Sequence, residues 1–138
     1  MQKSKGFTII ELLVVVAIIA VLTGIVLVNV TSYINKGKDA SIKGNLSTML
    51  TNGAVFYDDN GNYTNFTTSS GATVPAAAIV AAYGTGGAVS YGVPTATAWC
   101  ACSALKQGAP DTFCVDSTGQ KKQTATACAT ECAAAVCI

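Results

Sequence analysis

A single carboxylate inside a long apolar run is the first residue here that invites a chemical question. Glu11 lies in "KGFTIIELLVVVAIIAVL", Lys5 to Leu22. A charge at the centre of a bilayer costs at least ~2.5–3.5 kcal/mol on insertion scales, so such a residue usually marks function. A plain anchor would let Glu11 snorkel from the edge of the run toward the interface. No second acid or base accompanies it, so general acid–base work is not its chemistry.

The next candidates lie near the other end. Cys100, Cys102, Cys114, Cys128, Cys132 and Cys137 are the only cysteines, spaced C-x-C-x11-C-x13-C-x3-C-x4-C. That spacing lacks the paired C-x-x-C units of common zinc sites. In a small chain that enters a membrane first, such a cluster reads as disulfides made in an oxidising compartment, with no metal. Cys100 and Cys102 flank the "KQGAPDT" turn on one side and Cys114 on the other. A bridge from Cys114 to Cys100 or to Cys102 is therefore expected. Cys100 and Cys102, neighbours on one strand, should not bridge each other. Asp111, Asp116 and Glu131 could supply two carboxylates across a sugar ring, yet three acids in a small domain are ordinary solubility residues. Ser117 has no histidine to activate it. Tyr83, Tyr91, Trp99 and Phe113 could line a binding patch, or fill a small core. Asp58, Asp59, Asn60 and Asn62 lack the far-end bidentate acid of a calcium loop and read as a turn.

Composition narrows the classes further. The chain has 138 residues, a net charge of +1, 8 Lys and 7 acids, with neither Arg nor His. One domain is the natural size expectation. Histidine-based catalysis and His metal sites are excluded, as are Arg forks for phosphate. Five of the lysines lie in the first third and no basic patch with interleaved aromatics follows. Sequence-specific nucleic-acid recognition is therefore not expected. Nothing calls for a cofactor, and no enzymatic activity is expected.

These residues need elements to position them. Residues 7-30 are apolar except for Thr8, Glu11, Thr23 and Asn29, enough for a spanning helix of about 20 residues. Lys3 and Lys5 mark the preceding side as cytoplasmic. A cleaved secretory signal would have an apolar core of only about 7–15 residues. Over residues 31-57 the pattern changes to a stripe, Ile42, Leu46, Met49, Gly53 and Phe56, which predicts an amphipathic continuation of the helix. Gly37 and Gly44 weaken it. "DDNGNYT" ends it with an Asn-Gly turn. Residues 58-138 are then a globular domain. "VPAAAIVAAY" predicts a short helix with Pro75 early in it. "AVSYGV", "TATAWCACSA" and "FCVDS" predict short strands, and "STGQKK" a turn. The fold class is α+β: a long N-terminal helix and a small C-terminal domain with a short antiparallel sheet and disulfides.

"KGFTIIELLVVV" resembles the start of a type IV prepilin or a type II secretion pseudopilin. The signature is a short basic leader ending in Gly, then Phe, then a glutamate four residues further on in an apolar run. Lys5, Gly6, Phe7, Thr8, Ile9, Ile10, Glu11 and Leu12 match in place. More loosely, "KDASIKGNLSTMLTNGAVFYDDNGNYT" is similar to the segment after the span in small pilins, and "FCVDSTGQKK" to a C-terminal strand-turn in some. Residues 65-98 carry no matching motif. Many family members have a proline late in the span; here Gly24 is its only breaker.

The resemblance implies that residues 1-6 are a leader removed by a prepilin peptidase, which cuts after Gly6 and N-methylates Phe7. It implies a subunit that waits in the cytoplasmic membrane until an ATPase-driven platform extracts it into a helical homopolymer on the cell surface, for adhesion, motility or DNA uptake. Glu11 is then the charge that pairs with a neighbour's N-terminal amine. A secretion pseudopilin, or an anchored extracytoplasmic domain that never polymerises, are the other readings. An enzyme tethered to the outer face of the cytoplasmic membrane is the remaining one.

Overall fold

The computed structural model describes residues 6–107, 111–132 and 135–138, except for the side chain of residue 28. One helix, α1 (Ile9–Asn60), carries the chain through two compact units, residues 1–34 and 35–138.

In the first unit, α1 is rich in Val and Ile. Such residues lose rotamer freedom in a helix in water. In hydrocarbon the choice is different, because only a helix pairs every backbone N–H and C=O within one segment. Every described side chain from Phe7 to Leu27 is exposed, and the helix is long and apolar enough to cross a membrane. Gly24 does not interrupt it.

In the second unit the same helix becomes one-sided. Ile42, Leu46 and Met49 are fully buried, Gly53 is buried, and Phe56 is half-buried. The helix runs through Gly37 and Gly44 and stops at Asn60. Gly61 takes a φ of 70°, and its N–H donates to the Tyr57 carbonyl at 2.7 Å, a left-handed glycine cap. A 3-10 turn, Phe66–Thr68, leads into α2 (Ser70–Tyr83). Pro75 sits in the sixth position of α2 rather than in its first turn. Its missing N–H would have met the Gly71 carbonyl. That carbonyl accepts instead from Asn52 Nδ2 of α1 at 2.8 Å.

Four antiparallel strands follow, in spatial order β1 (Val89–Tyr91), β2 (Cys100–Ala104), β3 (Thr112–Asp116), β4 (Lys121–Thr124). Two expectations are corrected. Residues 95–98 form a turn, closed by the Thr95 N–H to the Ala98 carbonyl at 2.8 Å and the Ala98 N–H to Thr95 Oγ1. Lys121 and Lys122 belong to a strand, because the tight turn needs only 116–120, with Gly119 at a φ of 88°. The "KQGAPDT" turn lies partly outside the described residues.

Strand alternation gives the sheet two buried faces. Ala101 and Val115 join Ile42, Leu46, Met49, Phe66, Ile79, Trp99 and Leu105 in the apolar core beneath α1 and α2. Cys100, Cys102 and Cys114 face the other way, against the C-terminal segment with its short helix α3 (Cys128–Glu131). At the centre of the first core, Trp99 lies on Gly53. A Cβ on that glycine would stand 2.8 Å from the indole ring. Phe66 packs against the same indole, 4.6 Å between centroids.

Gly53→Ala should therefore force the indole aside and destabilise this unit by about 1–3 kcal/mol, the usual range for overpacking. Denaturant titration of the detergent-solubilised chain, followed by fluorescence of its only tryptophan, measures this directly. An unchanged midpoint would show that the contact is not tight.

Candidate functional site

The N-terminal site is a helix start. Thr8 precedes α1, and Glu11 is the third residue of the helix. The Thr8 N–H donates to Glu11 Oε2 at 2.9 Å, and the Thr8 hydroxyl donates to the same oxygen at 2.7 Å. The Glu11 N–H lies 3.3 Å from Thr8 Oγ1. This reciprocal arrangement is a capping box, which satisfies helix-end N–H groups that have no partner within the helix. A carboxylate in the first turn also complements the helix dipole. The Thr-x-x-Glu spacing was present in the sequence as a signal for this role. Oε1 of Glu11 takes part in none of these bonds. The structure thus brings Thr8 and Glu11 together, while Phe7 and Gly6, which precede them, are exposed. Lys3 and Lys5 lie outside the described residues.

The sulfur chemistry is settled by which face of the sheet the cysteines occupy. All six are bonded: Cys100–Cys132, Cys102–Cys128 and Cys114–Cys137, with Cα–Cα distances of 5.5, 5.4 and 6.0 Å. The expected bridge from Cys114 to Cys100 or Cys102 is therefore corrected. Cys102 and Cys114 are paired directly across the β2–β3 ladder, and the Cys100 and Cys114 sulfurs are only 3.2 Å apart. All three strand cysteines nonetheless project toward the segment laid over them, and each finds its partner there. Proximity along the hairpin was legible, but the return of the tail across the sheet was not. The sulfurs of Cys100, Cys114 and Cys132 cluster within 4.8 Å. As disulfide sulfurs they offer no thiolate to a metal.

The candidate carboxylates are committed to structure. Asp116 is buried, and its Oδ1 accepts from the Thr118 N–H and hydroxyl at 2.9 and 2.5 Å. Its Oδ2 accepts from the Cys137 N–H at 2.9 Å, so one side chain orders the β3–β4 turn and the tail. Buried Glu131 lies 3.8 Å from Lys122 Nζ. Asp111 accepts from Gln123 Nε2 at 2.8 Å. Trp99 is core, and Tyr83, Tyr91 and Phe113 are half-buried against it. Burial raises the Tyr91 hydroxyl above the ordinary phenol range. Tyr63 is raised for the same reason, with Tyr57 and Asp58 nearby adding to it.

One structural carboxylate is not marked by the sequence. Asp39 is buried, and its two oxygens accept from the Lys106 and Gln107 N–H groups at 2.6 and 3.0 Å. It ties α1 to the segment after β2. Nothing in the local sequence separates it from a solvated helix charge, since its partners are 67 and 68 residues away.

Comparison with known proteins bears on the N-terminal site. The model of the prokaryotic N-terminal methylation motif matches residues 1–27. The chain carries a class III prepilin N-terminus. Over a little under half of its length the chain is similar to type IV major pilins. The type IV major pilin protein PilA of Myxococcus xanthus is 34% identical over 64 residues, 46% of this chain and 29% of that protein. The type IV wide pilus major component PilA4 of Thermus thermophilus is 34% identical over 65 residues, 47% of this chain and 50% of that protein. The matches thus span half or less of those relatives. No solved structure matches the chain. The stretch matched by the methylation motif includes Gly6 to Glu11.

Asp39→Ala would leave two loop N–H groups without their acceptor and should destabilise the second unit by about 1–3 kcal/mol. The same fluorescence titration reads it. Equal stability of wild type and variant would show that water replaces the carboxylate at no loss.

Proposed function

We propose that this chain is a structural subunit of a type IV pilus. In this reading a prepilin peptidase cuts after Gly6 and N-methylates Phe7, and the subunit is held in the cytoplasmic membrane by residues 7-30. An assembly platform and its ATPase then move it into a homopolymer on the cell surface. The role is structural and requires no catalysis or cofactor.

The observation that carries the reading is the joined state of the N-terminus. A methylation motif runs into an apolar helix whose described side chains from Phe7 to Leu27 are exposed, and a carboxylate sits at its first turn. An unpartnered apolar helix needs either lipid or copies of itself. Cleavage before Phe7 creates an ammonium beside the capping box. Glu11 Oε2 serves Thr8, so Oε1 is the oxygen left to receive a neighbour's ammonium. In a filament core of low dielectric, an unpaired carboxylate is costly while a paired one fixes register. The curated relatives are described as major pilus components, which favours a pilus over a secretion pseudopilus.

Two variants test this together. Glu11→Gln keeps an oxygen that can accept from Thr8 but removes the charge. It should insert normally and reduce sheared surface filament at least about tenfold, since one tenfold step is only ~1.4 kcal/mol. Gly6→Val should accumulate with its leader attached, because a side chain fills the space glycine leaves at the cut. Intact mass of the wild-type chain should show a methylated Phe7 terminus. An uncut wild-type chain, or wild-type filament yield from Glu11→Gln, would overturn the respective step.

A further inference from the structure

The charges of the second unit are sorted along α1. Lys36, Lys38 and Lys43 lie on the first turns of α1 that belong to this unit. From residue 44 to residue 105 the chain has no lysine or arginine at all. The acids in that stretch are Asp58 and Asp59, both exposed. They make no ion pair and no side-chain hydrogen bond among the described residues. The acids near the lysine end are, by contrast, turned inward or satisfied: Asp39 by two backbone N–H groups and Asp111 by Gln123.

The acidic end is also in the wrong place for an isolated helix. Asp58 and Asp59 fall in the last turn of α1, which has no basic residue. The helix dipole is negative there, so carboxylates are disfavoured and lysines would be preferred. A chain that keeps both acids at that position is less stable alone than it could be. Beside them runs a groove of about 570 Å³ between α1 and α2, with Asp59 as its only charged residue. Val55 and Val74 line it and are 56% and 66% exposed.

We propose that Asp58 and Asp59 dock onto the Lys36–Lys38 end of a second copy of this chain. This rests on the pilus-subunit reading and adds to it the contact that sets the spacing of the heads. The partner follows from charge: this chain supplies a concentrated positive end to match its negative one. The two ends lie 22 residues apart, Lys36 to Asp58, or about 33 Å along the helix at 1.5 Å per residue. A contact joining different surfaces of two copies is heterologous, and repeated without closure it makes an open filament rather than a dimer. The exposed valines supply apolar contact, while the charges select register and orientation.

Charge reversal tests this in cells that assemble the full chain. Asp58→Lys with Asp59→Lys should reduce sheared filament at least tenfold, and Lys36→Glu with Lys38→Glu should do the same. The four changes combined in one chain should restore filament to within about threefold of wild type. Lysine at a helix C-terminus suits the dipole, so the first pair should fold. Absence of free thiols on alkylation confirms that for each variant. Wild-type yield from both paired variants would overturn the proposal, as would a quadruple variant no better than either pair. Filaments that fall apart with a chelator, yet are indifferent to the lysine changes, would overturn it in favour of a bridging divalent cation. Absence of filaments from wild type would instead count against the pilus reading itself.

Discussion

The contact of Trp99 with Gly53 is the constraint on which the second unit is built. The indole is the largest buried side chain, and it reaches the helix backbone only because that position has no Cβ. Around it the stripe of α1, the rings of Phe66 and Tyr63 and the inner face of β2–β3 close into one core. The approach is tight enough that Trp99 Nε1 is buried without a hydrogen-bond partner. Leaving a donor unsatisfied costs about 1–3 kcal/mol, so the apolar contact has to outweigh it. Asp39 fixes the far side of the same interface, holding the segment after β2 to the helix.

Much of this was legible in the sequence for a simple reason: periodicity reports burial. The change from an all-apolar run to the stripe Ile42, Leu46, Met49, Gly53 separated the part of the helix whose described side chains are exposed from the part that is buried on one side. Asn60-Gly61 marked the stop because only glycine readily takes that φ. What was not legible depended on residues distant in sequence. The strand cysteines were read against one another because they are close along a hairpin, whereas their partners arrive on a tail whose pattern gave no element. β4 was hidden because Lys121 and Lys122 are exposed edge residues, and charged edges are how sheets avoid pairing with strangers. Pro75 looked like a helix start. In α2 it is interior, tolerated because Asn52 of another helix takes up the carbonyl it frees.

Glu11 caps the helix on which it lies. Its capping bonds to Thr8 explain why a carboxylate at this spot helps the helix begin, with or without neighbours. Such a role is met by one oxygen. The sequence exposed the charge and its position, while the geometry shows that the cap uses Oε2. Removal of the charge and removal of the cap are therefore separable perturbations of one side chain.

The distribution of covalent links bears on how the subunit would behave under tension. All three disulfides join β2 or β3 to the tail, and none reaches α1 or α2. A load applied through α1 meets only apolar packing and hydrogen bonds, so the helices and the segment up to Cys100 can be drawn out. From Cys100 to Cys137 the chain is cross-linked to itself, and those 38 residues cannot be fully extended while the bridges last. At ~3.4 Å per residue the bridges withhold up to about 130 Å of slack. The bridges thus set a limit on how far the chain can be drawn out, and reducing agents would remove it.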